Sequence, residues 1–195
     1  MPRKANVTRK TKETDITALV CLDGSGKSVI STPVPFFNHM LDLFCMHGGF
    51  DIELKASGDS EIDGHHTVED IGIVLGGAFK KAAGGKEGIE RFGFSLMPMG
   101  ESLVTLSLDV CGRSVLVWNC GIKNEKVGNF DVELVHEFLK AFCDNFGLTL
   151  HVNLNYGQNT HHILEAVFKA LGRSLRKALA VADGSGGVPS TKGTL

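Results

Sequence analysis

Apolar and polar residues form a regular succession of patterns in the first half of the chain. Residues 14–23 (TDITALVCLD) alternate like a strand with one buried face, and residues 36–47 (FFNHMLDLFCMH) place apolar side chains at helical spacing. Alternation returns at 50–57, and a helical pattern over 66–82 ends just before two glycines. With a second strand that returns after the turn DGSGK, this half is predicted to run strand, strand, helix, strand, helix.

The second half repeats this order. Strands are predicted over 101–110, 114–119 and 148–155, and helices over 131–146 and from about 160 to 181. The turn CGR is expected to join its first two strands as a hairpin, as DGSGK does in the first half. The basic segment 2–12 is expected to be solvated and partly frayed, and RFGFSLMPMG (91–100) is expected to join the halves.

Three pairs of segments match in the same order, which indicates an internal duplication. They are 22–31 with 108–117, 38–54 with 136–152, and 64–70 with 160–166, at offsets of 86, 98 and 96 residues. The expected fold is α+β, with two duplicated ββαβα half-domains whose helices pack on one face of each sheet. Neither half looks able to fold alone, so we expect one pseudo-symmetric domain over 1–195, with halves at about 5–93 and 94–195.

Composition narrows the class of protein. Apolar residues make up 43% of the 195 residues, charged residues 22%, and the net charge is −2, so a nucleic-acid partner is not indicated. The sequence contains no apolar run long enough for a membrane span and no apolar segment after Met1 that would indicate a signal peptide. Five cysteines without a CxxC pair suit a reducing compartment. We expect a soluble cytoplasmic protein.

Two copies of the pattern HHxxE lie at the starts of predicted helices, in GHHTVED (64–70) and THHILEA (160–166). Residues four apart lie on one face of a helix, whereas neighbours diverge by about 100°. A His and a Glu in this relation can hold one divalent ion. The second histidine of each copy must then face elsewhere. The expected pairs are His65 with Glu69 and His161 with Glu165, and the diverging histidines are His66 and His162.

The duplication supplies candidates for the remaining metal ligands. His39 lies on the helix that precedes the first HHxxE copy. In the gapless match of the two halves Glu137 aligns with His39, and His136 is the neighbouring alternative. Nitrogen and oxygen ligands without a thiolate favour an octahedral ion such as Mn²⁺ over structural zinc. The predicted sites are His39, His66, His161 and Glu165 for one ion, and His65, Glu69, His162 and Glu137 for the other.

These motifs carry a resemblance to a known family. FFNHMLDLFCMHGGFD (36–51), DGHHTVEDIGI (63–73), NTHHILEAVFKALGRSLRKA (159–178) and PSTKG (189–193) resemble the imidazoleglycerol-phosphate dehydratases, and the likeness covers essentially the whole chain. It implies a duplicated fold like the second domain of ribosomal protein S5. It also implies trimers that assemble into a 24-subunit shell, with active sites between subunits.

The reaction that the resemblance implies is a dehydration in histidine biosynthesis. D-erythro-imidazole glycerol phosphate loses water to give imidazole acetol phosphate, with two Mn²⁺ ions per active site. A metal-bound imidazolate would push electrons through the ring to expel hydroxide and form a diazafulvene-like intermediate, and a carboxylate or histidine would take the carbon-bound proton.

The resemblance also implies roles for individual residues. The metal ligands fall on His39 and the two HHxxE motifs, and the family usually has a histidine where this chain has Glu137. Glu13 resembles a substrate-facing glutamate and Glu165 a base that also touches metal, while His47 either faces the same pocket or is a protonated histidine at a helix end. The expected substrate or phosphate contacts are Glu13, His39, His47, Arg91, Arg113, Lys169, Ser190 and Lys192.

The glycine- and serine-rich tail that holds Ser190 and Lys192 has the composition of a loop that closes over an anion. Asp63 and Asp70 are expected to cap a helix or support a ligand. Two other functions use the same parts. One is a non-catalytic metal-binding assembly protein, and the other is a metal-dependent phosphate-ester hydrolase.

Overall fold

Each half of the chain builds one four-stranded sheet and two helices. The computed structural model describes residues 2–181, 187–191 and 193. The elements of the first half are β1 (Lys4–Lys10), β2 (Thr14–Cys21), β3 (Ser28–Ser31), α1 (Pro35–Gly48), β4 (Asp51–Gly58) and α2 (His65–Ala83). Those of the second are β5 (Phe92–Met99), β6 (Ser102–Asp109), β7 (Val115–Asn119), a short β8–β9 pair (Lys126–Val127 and Phe130–Asp131), α3 (Glu133–Phe146), β10 (Thr149–Tyr156) and α4 (Thr160–Leu179).

The strand order is the same in both sheets and confirms the α+β class. It is β1-β2-β4-β3 in the first sheet and β5-β6-β10-β7 in the second. The predicted hairpins are wrong, because β4 lies between β2 and β3, and β10 lies between β6 and β7. β3 and β7 therefore run parallel to β4 and β10 at the sheet edge, and a helix carries the chain across.

Each four-stranded sheet also has one more strand than the pattern predicted. The N-terminal segment is strand β1, not a frayed end, and the expected joint is strand β5, so the division near residue 93 falls inside a strand. Alternation failed at β5 because its large side chains face outward: Phe94 is exposed while Gly93 is buried. A Cβ on Gly93 would lie 1.9 Å from the carbonyl oxygen of Ser174 on α4, so only glycine fits at this position.

Strand register corrects one of the repeat matches. Cys21 pairs with Asp51, and in the second sheet Asp109 pairs with Thr149. Since α1 and α3, like β4 and β10, are related by 98 residues, the equivalent of Cys21 is Asp109, at an offset of 88 instead of 86. A shift of two residues keeps every side chain on the same face, so the slipped match preserved the hydrophobic pattern.

The helices pack across the halves, α1 against α4 and α2 against α3. A Cβ on Gly76 of α2 would lie 2.6 Å from the carbonyl oxygen of Phe142 on α3, and a Cβ on Gly172 of α4 would lie 2.6 Å from that of Phe44 on α1. These two contacts are equivalent under the duplication. Glycine therefore allows the helices to pack closely, and Gly172 lets α1 lie against α4, which carries the second HHxxE motif. Among the helices that the structure describes, none has the length and hydrophobicity needed to cross a bilayer.

Candidate metal centre

Three predicted ligands from two helices meet at one point. Nε2 of His39 on α1 lies 2.9 Å from Oε1 of Glu165 on α4, and Nε2 of His161 lies 3.1 Å from the same oxygen. The three ligand atoms lie within 4.8 Å of one another, and no other trio of His, Cys, Asp or Glu among the described residues is so arranged. This donor set of two imidazoles and one carboxylate fits a divalent ion of borderline hardness.

Glu165 is the centre of this cluster. Its side chain is 9% exposed, and its other oxygen accepts a hydrogen bond of 2.7 Å from Nζ of Lys169, one turn along α4. Burial raises the pKa of Glu165, but hydrogen bonds from Lys169, His39 and His161 outweigh burial and lower it to about 2. The carboxyl group is therefore ionised at neutral pH, which is the form that binds a cation.

The second histidines of the HHxxE motifs diverge, as helix geometry predicted. Nδ1 of His162 lies 2.6 Å from Oε2 of Glu101, and Nδ1 of His66 lies 2.9 Å from Oδ2 of Asp59. Both rings remain partly exposed, at 38% for His66 and 35% for His162. In the same chain, therefore, His66 does not join the cluster around Glu165.

The second predicted ion site is not assembled within one chain. Over the described residues, His65, Glu69, His162 and Glu137 form no group as close as that around Glu165. Oε1 of Glu137 lies 3.1 Å from Nδ1 of the neighbouring His136, so either residue has a partner already. The choice between them stays a prediction.

Neither Glu101 nor Asp59 was predicted from the sequence. Glu101 precedes β6 directly, as Glu13 precedes β2, so an offset of 88 pairs the two glutamates. The sequence match at an offset of 86 is two residues out of register, so it did not align the two glutamates. Hydrogen bonds from His162, and then from the backbone N–H of Asn159, hold the pKa of Glu101 well below its usual range.

Glu13 lies apart from Glu165. It is exposed in the turn between β1 and β2, in a shallow depression that Asp59 also lines. Asp59 raises the pKa of His66 through its hydrogen bond, and the negative charge of Glu13 acts in the same direction. Glu13 and Glu165, the two predicted catalytic carboxylates, therefore lie near different histidines.

His47 lies in the last turn of α1 and lines a basic depression with Arg173, Arg176 and Lys177 of α4. Burial lowers the pKa of His47, and the positive charges of Lys169 and Arg173 lower it further. These effects oppose a protonated histidine at the helix end, which was one of the two expected roles.

The predicted phosphate-binding cations differ in their partners. Arg91 donates to both carboxylate oxygens of Asp109, at 2.7 and 3.0 Å, and its Nη1 donates to the carbonyl of Pro189 at 2.8 Å. This contact ties the segment that holds Ser190 to Arg91. The exposed Arg113 guanidinium forms no ion pair with a carboxylate of any described residue, and Lys192 lies outside the described residues.

The two aspartates beside α2 have structural roles. The backbone N–H of His65, the first residue of α2, donates to Asp63 at 2.7 Å, although the N-cap position itself is occupied by Gly64. Asp70 is buried and accepts hydrogen bonds from Arg9, at 2.9 Å, and from Thr14. Asp70 thus ties α2 to the first two strands, and within the described residues its carboxylate forms no hydrogen bond with a side chain of the metal-ligand candidates.

Comparison with known proteins supports a single family. Residues 32–175 match the family model described as imidazoleglycerol-phosphate dehydratase. The chain is 57% identical over 193 residues to the enzyme of that name from Thermoanaerobacter sp. (strain X514), covering 99% of this chain and 100% of the relative. It is 57% identical over 195 residues to that of Acetivibrio thermocellus, covering 100% of both.

Solved structures agree with the sequence relatives. The crystal structure of imidazoleglycerol-phosphate dehydratase from Staphylococcus aureus subsp. aureus N315 is similar with a TM-score of 0.83 and 39% identity, over 92% of this chain and 99% of that one. The structure of IGPD from Pyrococcus furiosus in complex with (S)-C348 is similar with a TM-score of 0.84 and 36% identity, over 97% and 100%.

Proposed function

The chain belongs to the imidazoleglycerol-phosphate dehydratase family and is a dehydratase of histidine biosynthesis, and from this premise we propose that its reaction depends on Mn²⁺ held in part by His39, His161 and Glu165. The single observation that carries the proposal is the convergence of two imidazole nitrogens on one buried, ionised carboxylate. The substrate is imidazole glycerol phosphate and the product imidazole acetol phosphate.

The donor atoms fit the proposed ion. Both histidines present Nε2 to Glu165, and all five cysteines are free and outside this group, so nitrogen and oxygen donors predominate. Such a set suits Mn²⁺ and related ions more than a thiolate-bound zinc. When bound, a divalent ion supplies positive charge that polarises a substrate nitrogen or oxygen and stabilises negative charge there.

Two ions per active site require ligands that one chain does not bring together. We propose His66 and His162 as ligands contributed to a site shared with a neighbouring copy, with His65, Glu69 and Glu137 in the second set. Their partial exposure supports this, because a side chain that completes a site on another subunit must be accessible in the isolated chain.

Separate roles are proposed for the residues of the chain around the metal. Lys169 holds the Glu165 carboxylate in its ionised form through a 2.7 Å hydrogen bond. Glu13, beside His66 and Asp59, remains a candidate to accept the carbon-bound proton, together with Glu165. His47 lines a depression with Arg173, where the positive charges of Lys169 and Arg173 favour a neutral imidazole that can hydrogen-bond a substrate hydroxyl.

We assign the phosphate to Arg91, Arg113, Lys169, Ser190 and Lys192. The contact from Arg91 to the carbonyl of Pro189 supports this grouping, since it brings the C-terminal segment to a guanidinium. The Arg113 guanidinium, without a carboxylate partner in the described part of the chain, is available to a dianion. The segment around Ser190 would then close over the bound phosphate.

Self-association is supported by the outer face of the second sheet. Phe92, Phe94 and Leu96 of β5 are 55%, 66% and 61% exposed. The equivalent positions of β1, at an offset of 88, carry Lys4, Asn6 and Thr8. An apolar stripe at one edge and a polar one at its counterpart is expected of a chain that buries only one of them in an assembly. Trimers that associate into a 24-subunit shell are the proposed form, and the five free thiols support a cytoplasmic location.

Turnover of imidazole glycerol phosphate tests the function. Protein stripped with a chelator should be inactive, and added Mn²⁺ should restore formation of imidazole acetol phosphate. Absence of product after Mn²⁺ addition would contradict the proposal. Release of inorganic phosphate instead would identify a hydrolase, and Mn²⁺ binding without turnover would identify a non-catalytic metal-binding protein.

A further inference from the structure

We propose that Glu101 and Asp59 are positioning residues that hold His162 and His66 in the Nδ1–H tautomer, so that Nε2 of each ring is the metal ligand. This inference rests on the proposed role of the two histidines as ligands. A neutral imidazole carries one N–H, and the nitrogen without it has the lone pair that binds a metal. The nitrogen that faces a carboxylate therefore decides which one is left for the ion.

Backbone hydrogen bonds from the start of α4 set the orientation of the Glu101 carboxylate. Its Oε1 accepts backbone N–H groups from Asn159 at 2.7 Å and Gln158 at 3.2 Å, at the start of α4. Its Oε2 is then directed at Nδ1 of His162, 2.6 Å away. A carboxylate can only accept, so the ring must donate from Nδ1 and keep its lone pair on Nε2.

Asp59 makes the equivalent contact by a different route. It follows β4, and its backbone N–H donates to the carbonyl of Glu13 at 3.2 Å, which holds the loop against the β1–β2 turn. Its Oδ2 lies 2.9 Å from Nδ1 of His66. No other side-chain hydrogen bond is formed by the Asp59 carboxylate within the described residues, so this contact can be changed without altering a second one.

The two carboxylates do not occupy equivalent positions. The counterpart of Glu101 is Glu13, and the counterpart of Asp59 is Gly157. Carboxylates at two positions that are not equivalent thus contact Nδ1 of two equivalent histidines. Exposed ion pairs at helix starts contribute little to stability, so helix stabilisation alone does not account for the same choice of Nδ1 in both halves.

Amide variants distinguish tautomer control from a merely structural contact. In Glu101→Gln the oxygen is retained by the two backbone N–H groups, so the NH₂ group faces Nδ1 of His162 and donates to it. The ring must then carry its proton on Nε2, and the ligand lone pair is lost. In Asp59→Asn no such restraint exists, so the amide can turn its oxygen to His66 and keep the original tautomer.

The experiment is a Mn²⁺ titration of metal-free full-length protein, followed by electron paramagnetic resonance of free Mn²⁺, with pulsed measurements of nitrogen coupling to bound Mn²⁺. We expect Glu101→Gln and Asp59→Ala to lose about 10- to 100-fold in affinity for the affected ion and one imidazole coupling. Asp59→Asn should stay within about threefold of wild type. Glu53→Gln, an exposed carboxylate on β4, is the matched control, and circular dichroism checks that each variant folds.

The outcomes separate this inference from the function on which it rests. If wild type binds no Mn²⁺, the proposed function fails and the inference with it. If His162→Ala loses Mn²⁺ while Glu101→Gln and Asp59→Ala, correctly folded, bind it as wild type does, only the inference is overturned. Equal losses in Asp59→Asn and Asp59→Ala would also overturn it, because charge and not the tautomer would then be responsible.

Discussion

His39 and Glu165 belong to different halves of the chain, 126 residues apart, yet Nε2 of one lies 2.9 Å from Oε1 of the other. The contact joins helix α1 of the first half to helix α4 of the second. The candidate centre therefore exists only where the two halves meet, and its geometry depends on how closely these helices pack.

Glu165→Gln removes the one negative charge of the cluster while keeping its size. We expect turnover to fall by about 100- to 10,000-fold, because both the cation ligand and a candidate base are lost. Steady-state kinetics with saturating Mn²⁺ measures this. Glu53→Gln makes the same chemical change at an exposed position and should leave turnover unchanged. Activity within threefold of wild type in Glu165→Gln would contradict the assignment.

Gly172→Ala tests whether helix packing positions the centre. A Cβ there would lie 2.6 Å from the carbonyl oxygen of Phe44 and 2.8 Å from the amide nitrogen of Gly48, so α4 must move away from α1. We expect a loss of about 1–3 kcal/mol in the free energy of unfolding and weaker Mn²⁺ binding. Urea unfolding and a Mn²⁺ titration measure the two effects. Unchanged Mn²⁺ affinity in a destabilised variant would show that the centre tolerates the shift.

Neighbouring glycines of α2 provide a matched comparison. A Cβ on Gly76 would lie 2.6 Å from the carbonyl oxygen of Phe142, whereas a Cβ on Gly77 would meet no other part of the described chain within 4 Å. Gly76→Ala should destabilise the fold by about 1–3 kcal/mol. Gly77→Ala should stabilise it by about 0.5–1 kcal/mol, because alanine favours the helix. Urea unfolding curves of both variants measure the two changes. Equal changes in the free energy of unfolding would contradict the close contact at Gly76.

How far the sequence predicts this molecule depends on which side chains face the core. Alternation located β2, β4, β6 and β10 because their inner residues are apolar and their outer ones polar. It missed β1, whose inner face offers chiefly Ala5 and Val7, and β5, whose apolar residues face outward. Strand order was not predictable from alternation, since nothing in the pattern of β3 indicates which neighbour it pairs with.

The residues of the candidate metal centre also differ in how far the sequence predicts them. Helical spacing and the duplication predicted that His39, His161 and Glu165 belong to one site and that His162 diverges. Glu101 was not found, because it acts from a turn, where no periodicity marks a functional carboxylate. Only the strand register, which pairs its position with Glu13, supplies the missing signal.

The acid stability of the fold should depend on Asp51. Its Oδ1 accepts the backbone N–H groups of Ser25 and Lys27, at 2.8 and 2.9 Å, and these bonds lower its pKa below the usual range. A carboxyl group with a lower pKa in the folded state stabilises the fold above its unfolded pKa of about 3.9, and this stabilisation is lost as pH falls through the folded value.

Asp51→Asn isolates this effect, since the amide oxygen can accept the same bonds but does not ionise. The wild-type advantage in the free energy of unfolding should be constant from pH 7 to about pH 5 and should shrink below about pH 4. Urea unfolding of metal-free protein at a series of pH values measures it. A difference that grew on acidification would contradict the hydrogen-bond assignment.

Phe94→Glu tests the apolar stripe on β5. Phe94 is 66% exposed, and the Nζ atom of Lys177 lies 4.3 Å from its ring centroid. A charge there should cost about 2 kcal/mol or more at each interface and shift the protein to smaller species in sedimentation velocity. Asn6→Glu, at the equivalent position of β1, is the matched control and should assemble normally. Wild-type assembly in Phe94→Glu would exclude this face as the interface.

The crossed packing of the helices, α1 on α4 and α2 on α3, has a consequence for how such a chain arises. A polypeptide of half this length would hold two helices whose partners are both missing, and it could cover them only by pairing with a copy of itself. The present molecule is in effect a covalently linked homodimer. Linkage frees the two copies from identity, so one half can carry Asn6 and Asp59 where the other carries Phe94 and Gly157.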